Sequence, residues 1–244
     1  MTQKTSRSAK AGIVVTWLGH SAFSLVSPKG KVLLIDPWLD NPKAPQGAKN
    51  ISAVDIILVT HGHADHLGNT IEIARRTNAR IVAIHEIGLY LQSQGLSRVE
   101  GINKSGSVVL DGLTITMTHA EHSSGIEPGG ELRIGGDPAG YVIRFENDFR
   151  VYHAGDTGVF GDMQIISKLY GPDLAMLPIG GYFTMGPVEA ALACTLLRPR
   201  HIVGMHYGTF PILTGTPEEL RRHLPPAMKN RVRIMEPGTP VTFS

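Results

Sequence analysis

The chain has 244 residues, 42% of them apolar and 18% charged, so it can bury a sizeable core and global disorder is excluded. Three of its positive charges, Lys4, Arg7 and Lys10, lie in the first ten residues; residues 11–244 carry 20 basic against 21 acidic side chains, and no nucleic-acid partner is expected of such a body. A single cysteine, Cys194, excludes a disulfide framework and a Cys-based zinc knuckle, and no apolar run approaches the roughly 18 residues of a membrane span.

Residues 1–11 read as a basic, disordered tail without the apolar stretch of a secretory signal, and the expected compartment is the cytoplasm. Ile13–Leu18, Ala22–Val26 and Lys31–Ile35 are β-branched, apolar runs that predict three strands, and Asp36-Pro37 ends the third. Residues 41–50, with two prolines and a glycine, predict a loop. Asp55–Thr60 contains Ile56-Ile57-Leu58-Val59, the pattern of a strand buried on both faces. Leu67–Thr77 predicts a helix, Arg80–Ile84 a strand and Glu86–Gln94 a helix stopped by Gly95.

Further on, Leu113, Ile115 and Met117 alternate with threonines, which predicts a half-buried strand. Gly125–Gly140 holds six glycines and two prolines in sixteen residues and reads as an irregular loop. Tyr141–Phe145 and Phe149–Tyr152 predict a hairpin, followed by a helix at Phe160–Tyr170, a strand at Asp173–Leu177 and a helix at Val188–Leu197. His201–Met205 reads as a strand, Pro217–His223 as a helix, and Arg231–Met235 and Val241–Phe243 as closing strands. No linker separates the halves, so one domain over residues 12–244 is expected. Its class is α/β (α+β), with two sheets face to face and helices outside.

Histidine is the outlier, with eleven copies. His61-Gly62-His63-Ala64-Asp65-His66 places four imidazole or carboxylate groups within six residues, directly after a buried strand. Neutral imidazole and carboxylate are ligands for zinc, manganese or iron. A tight loop at a strand end can point His61 and His63 one way and Asp65 and His66 another, which suits two neighbouring ions. Two ions need about seven protein ligands plus solvent. The remaining candidates fall at the ends of other predicted strands: His119 or His122, the acid of Gly155-Asp156, and His206.

These residues resemble the metallo-β-lactamase superfamily of dinuclear metal hydrolases. The resemblance is carried by H-x-H-x-D-H at 61–66, then His122, Gly155-Asp156 and His206 in that order. Trp17-Leu18-Gly19-His20-Ser21, Leu34-Ile35-Asp36-Pro37 and Met205-His206-Tyr207-Gly208-Thr209 look like a bacterial and archaeal branch of metal-dependent hydrolases. More distantly the chain is similar to L-ascorbate phosphate lactonase and N-acyl-phosphatidylethanolamine phospholipase D. The resemblance implies a four-layer αββα sandwich, and homo-oligomers occur among similar proteins. It implies that His61, His63 and His122 bind a first divalent metal, that Asp65, His66 and His206 bind a second, and that Asp156 bridges both. Zinc and manganese are the leading ions, with iron admitted by the same ligands. His119 continues the apolar face of its strand and is expected to be structural.

Three further residues border these motifs. Asp36 either orients a ligand or loop by hydrogen bonds or forms the turn before Pro37. His20 and His153 either contact substrate or are packed, orienting histidines. The implied activity is hydrolysis of an ester-type bond in a small molecule, a phosphodiester or a lactone first, by a metal-bridging hydroxide, with Asp65 steering the proton. No serine elbow, phosphate loop, dinucleotide fingerprint or H-E-x-x-H is present. A metal-loaded module without turnover and a nuclease are the competing readings. The first would be marked by a missing ligand and the second by a basic groove.

Overall fold

A computed structural model describes residues 12–244; the expected basic tail over 1–11 lies outside the described residues. The first sheet contains β1 (Ile13–Trp17), β2 (Phe23–Val26), β3 (Val32–Ile35), β4 (Ile56–Leu58), β5 (Arg80–Ile84) and β6 (Val99–Ile102). The second half supplies β7 (Ser107–Leu110), β8 (Leu113–His119), a small hairpin of β9 (Gly125–Ile126) and β10 (Arg133–Ile134), then β11 (Ala139–Arg144), β12 (Arg150–His153), β13 (Leu174–Pro178) and β14 (His201–Met205). The final strand, β15 (Pro240–Phe243), returns to the β1 edge of the first sheet. The sheet orders are β15-β1-β2-β3-β4-β5-β6 and β14-β13-β12-β11-β8-β7.

The sheets pack face to face and helices cover their outer sides, the αββα order expected from the resemblance. α1 (Ala64–Leu67), α2 (Thr70–Thr77) and α3 (His85–Ser93) lie with the first sheet. α4 (Met163–Tyr170), α5 (Pro187–Leu197) and α6 (Pro217–His223) pack with the second, and the short α7 (Pro226–Lys229) follows. The all-apolar β4, Ile56-Ile57-Leu58, is central and fully buried, with parallel neighbours on both sides. Each such side chain contributes about 1.5–3 kcal/mol through its removal from water. The sheets are also tied by a polar contact. The Tyr141 hydroxyl on β11 reaches across to the carbonyls of Val59 at 2.8 Å and Val82 at 3.1 Å. Among the described residues no helix is long and apolar enough to cross a membrane.

Several expectations are corrected. The helix expected over Leu67–Thr77 is two helices broken at Gly68, whose backbone has φ +42° and lies so close to Pro37 and Trp38 that a Cβ would be 2.6 Å from Trp38 Cα. The loop expected over 125–140 contains the β9–β10 hairpin and the start of β11. Arg231–Met235 is not a strand; only Val232 bridges to Ile202, because the segment follows β14 for a single residue pair. The half-buried strand expected over Leu113–Met117 is more deeply buried than its alternation implies: Thr116 and Thr118 are 5% exposed, Thr116 beside Leu169 and Tyr170 of α4. β6 and β7 were not foreseen.

Candidate metal centre

The carboxyl ends of β1, β3, β4, β8, β12 and β14 meet at one edge of the sandwich, and each leads to a residue that the sequence singled out. β4 runs through Val59 and Thr60 to His61, where the chain turns at Gly62. A Cβ at Gly62 would lie 2.7 Å from the Gly125 carbonyl, so the turn packs directly on the base of the β9–β10 hairpin. His63 then starts α1, whose four residues bring Asp65 and His66 back towards the cluster.

The potential ligand atoms fall into three overlapping groups: His61, His63 and His122; His61, His66 and Asp156; and His20, Asp65, His66 and His206. Within each group they lie within 4.8 Å of one another. Asp156 is the centre, with Oδ2 at 2.9 Å from His206 Nε2, 3.2 Å from His66 Nε2 and 3.7 Å from His122 Nε2. His206, Asp36 and His20 all have left-handed backbones, φ 56°, 46° and 50°, a conformation that costs a non-glycine residue energy and persists only where the surroundings impose it.

Hydrogen bonds behind the cluster set which nitrogen each histidine presents. Asp36 Oδ1 accepts from the Thr60 N–H at 2.8 Å, and Oδ2 accepts from the Thr60 hydroxyl at 2.6 Å and from His66 Nδ1 at 2.7 Å. The Thr60 hydroxyl, its proton given to Asp36, accepts from His61 Nδ1 at 3.0 Å. One buried carboxylate therefore turns Nε2 of both His61 and His66 towards the cluster. Asp36 thus bonds directly to His66 and, through Thr60, to His61. Thr60 escaped the sequence reading, because nothing in the sequence shows which hydroxyl lies behind an imidazole.

His20 is fully buried. Its Nε2 lies 3.0 Å from Asp65 Oδ2 and its Nδ1 2.9 Å from Thr209 Oγ1. Burial lowers its pKa to about 4 against the pull of Asp65, so the ring is neutral. A carboxylate only accepts, so Nε2 carries the proton and Thr209 donates to Nδ1. The edges of Trp38 and Phe210 cover the same ring at centroid distances of 5.2 and 6.0 Å. His153 is packed rather than substrate-facing. Its Nε2 donates to the Ser21 carbonyl and its Nδ1 accepts from the Gly155 N–H, which fixes the turn that carries Asp156. His119 does not continue a buried face; the last residue of β8, it is exposed and bonds Glu121 at 2.7 Å, while His122 is the histidine brought to His61 and His63.

Burial opposes charge on His66, yet Asp156 and Asp36 outweigh it and push its pKa well above the ordinary histidine range. Burial likewise opposes charge on Asp156, and His206 and His66 outweigh it and hold the carboxyl well below the usual range. His61, without a carboxylate bonded to it, is lowered by burial and by His66. The centre thus favours positive charge beside Asp156. His66 Nε2, Asp156 Oδ1 and His206 Nδ1 are buried without a hydrogen-bond partner, which is costly unless something else satisfies them. Imidazole nitrogen and carboxylate oxygen, with no thiolate, are a donor set that fits a divalent cation such as zinc or manganese.

Two facing sheets with a histidine-rich centre at their edge define a protein of the metallo-β-lactamase fold. Residues 31–207 match the family model for the beta-lactamase superfamily domain. The chain belongs to this superfamily and, within it, to the UPF0173 metal-dependent hydrolases. It is 50% identical to the member from Rubrobacter xylanophilus, over 93% of this chain and 95% of that one. It is 51% identical to the member from Methanosarcina mazei, over 93% and 97%. Among solved structures it is similar to Igni18, a metallo hydrolase from the archaeon Ignicoccus hospitalis, with a TM-score of 0.85, 41% identity and coverage of 95% and 98%.

Proposed function

We propose that the chain hydrolyses an ester-type bond of a small molecule, a lactone or a phosphodiester, with two divalent cations at this centre. Zinc or manganese suits the donor set best. The observation that carries the reading is the gathering of seven imidazole and carboxylate groups, Asp156 among them, with three buried polar atoms left unpartnered. His61, His63 and His122 would hold one cation, Asp65, His66 and His206 the other, and Asp156 both. Such ions, when bound, polarise a substrate oxygen and lower the pKa of water from 15.7 towards ~7.

The protein's own part is orientation and proton handling. Asp36 and Thr60 keep the Nδ1 atoms of His66 and His61 occupied, so each ring offers Nε2. His20 Nε2 donates to Asp65 Oδ2, the oxygen that also lies 3.9 Å from His66 Nε2, and so fixes the carboxylate that would steer a water's proton. Gly155, at φ +65°, lets the Asp156 turn approach Ala139 and Thr60; a Cβ there would be 2.5 Å from the Ala139 carbonyl.

The test is turnover of p-nitrophenyl acetate, γ-butyrolactone and bis(p-nitrophenyl) phosphate by zinc- and manganese-loaded protein. Hydrolysis of at least one is expected, abolished by a chelator, restored by the metal and lost in His122→Ala. Hydrolysis that survives complete metal removal contradicts the reading.

A further inference from the structure

Beside His63 the surface opens into a cleft of about 580 Å³, bordered by Ser123, Glu127, Leu132, Arg133 and Ile134. That is within the volume range of small-molecule sites, about 300–1,000 Å³. Its far wall is the β9–β10 hairpin, which is anchored to the metal loop. Ser124 Oγ accepts from the Gly62 N–H at 3.1 Å and donates to the Gly135 carbonyl at 3.1 Å. Ile126 supplies the hairpin's buried contact and is 3% exposed.

Leu132 and Ile134 do not serve the core. They are 75% and 84% exposed. Ile134 faces Gly125 across the β9–β10 ladder and Leu132 reaches over the same Gly125, so the two share a face. Leu132 lies across Gly125, where a Cβ would come within 2.5 Å of Leu132 Cδ1, so the absence of a side chain at 125 is what lets Leu132 lie there. Single exposed apolar residues need no explanation; two on one face, beside a candidate ligand, mark a binding surface.

The charges on this wall speak to the ligand's polarity. Among the residues bordering the cleft Arg133 is the one fixed cation, and its guanidinium lies 3.4 Å from Glu131. Glu127 adds a negative charge that forms no salt bridge among the described residues. An anionic group would meet Glu127 and gain little from Arg133, whereas an alkyl or aryl group would cover Leu132 and Ile134.

We propose that Leu132 and Ile134 form a subsite for an uncharged apolar arm, alkyl or aryl, of the substrate, whose scissile bond lies at the adjacent metal centre. This rests on the metal-centre reading above. It is tested by calorimetry on the zinc-loaded full chain with straight-chain hydroxamic acids, from acetohydroxamic to octanohydroxamic acid. Affinity is expected to rise about fourfold per methylene until the arm fills the cleft. The slope is expected to flatten in the double variant Leu132→Ser, Ile134→Ser and to persist in Val109→Ser, which removes an equally exposed side chain on β7 away from the cleft. An octanohydroxamic acid bearing a terminal carboxylate is expected to lose the gain of its chain, a comparison that needs no variant. A flat series in the parent protein, or an unchanged slope in the double variant, overturns the subsite. If acetohydroxamic acid binds and the series is flat, the subsite falls alone. If the zinc-loaded protein binds no hydroxamate, the metal-centre reading fails and the subsite falls with it.

Discussion

The loop His61–His66 and the β9–β10 hairpin border the same cleft, yet they are held in different ways. Behind the loop stands a chain of buried hydrogen bonds: Asp36 to His66 and to Thr60, Thr60 to His61, and His20 to Asp65. Apart from the one between the neighbours Thr60 and His61, each joins residues that follow different strands, so the loop's side chains are positioned by the ends of β1, β3 and β4 together. The hairpin has only two ladder pairs, the Ser124 anchor and one buried residue, and it shows water its large apolar side chains. The contrast separates two tasks. Groups that must share a charge are fixed by a surround that tolerates no shift, while the wall that meets the variable part of a ligand is carried on a segment with little load from the core.

That contrast is broken most severely by removing its centre. Asp156→Ala is expected to lose metal from both positions and to lower kcat/KM on the order of 10³-fold, the scale of several kcal/mol of charge stabilisation. Retained circular dichroism checks that the fold survives. Asp36→Asn keeps the shape but turns an amide towards donors, and should weaken metal binding by about 10–100-fold in chelator competition. Tyr141→Phe removes the hydroxyl that ties β11 to the strand feeding the loop. A loss of about 1 kcal/mol in urea unfolding is expected, with metal stoichiometry unchanged. On the hairpin side, the Leu132→Ser, Ile134→Ser double variant should shift stability by no more than about 0.5 kcal/mol per site. A large loss there would show that the hairpin is part of the frame after all.

The smallest effect lies at the other end of β4. Asp55 accepts from Lys31 Nζ at 2.8 Å and from the Val32 N–H at 2.9 Å. Burial opposes its charge, but these two partners outweigh it and lower its pKa. Its contribution is therefore present above the ordinary carboxylate pKa of about 3.9 and is lost as pH falls through the lower folded value. Asp55→Asn should flatten the acid limb of the stability curve below about pH 4 and leave it unchanged near neutrality.

Much of this was legible in the chain itself. The run Ile56-Ile57-Leu58-Val59 announced a buried strand, and the imidazoles crowded behind it announced the cluster, because local spacing alone brings them together. His122, Asp156 and His206 were readable only as residues at other strand ends that resembled a known pattern. β6 and β7 were not readable. Both are four-residue strands at sheet edges: β6 exposes Glu100 and Gly101 in succession, and β7 turns inward only Val108 and Leu110, too short a run for alternation to show. Arg231–Met235 has the composition of a strand but lacks the partner that would make it one. Thr60 and Thr209 act through tertiary hydrogen bonds to histidines, and a hydroxyl carries no mark of that in sequence. The β9–β10 hairpin was masked by the glycines that allow it.

The most direct measurement is metal content per chain, by elemental analysis of protein purified without added metal and again after reconstitution. The dinuclear reading predicts two equivalents, falling when His61 and Asp156 are each replaced by Ala. One equivalent, or none after reconstitution, would contradict it.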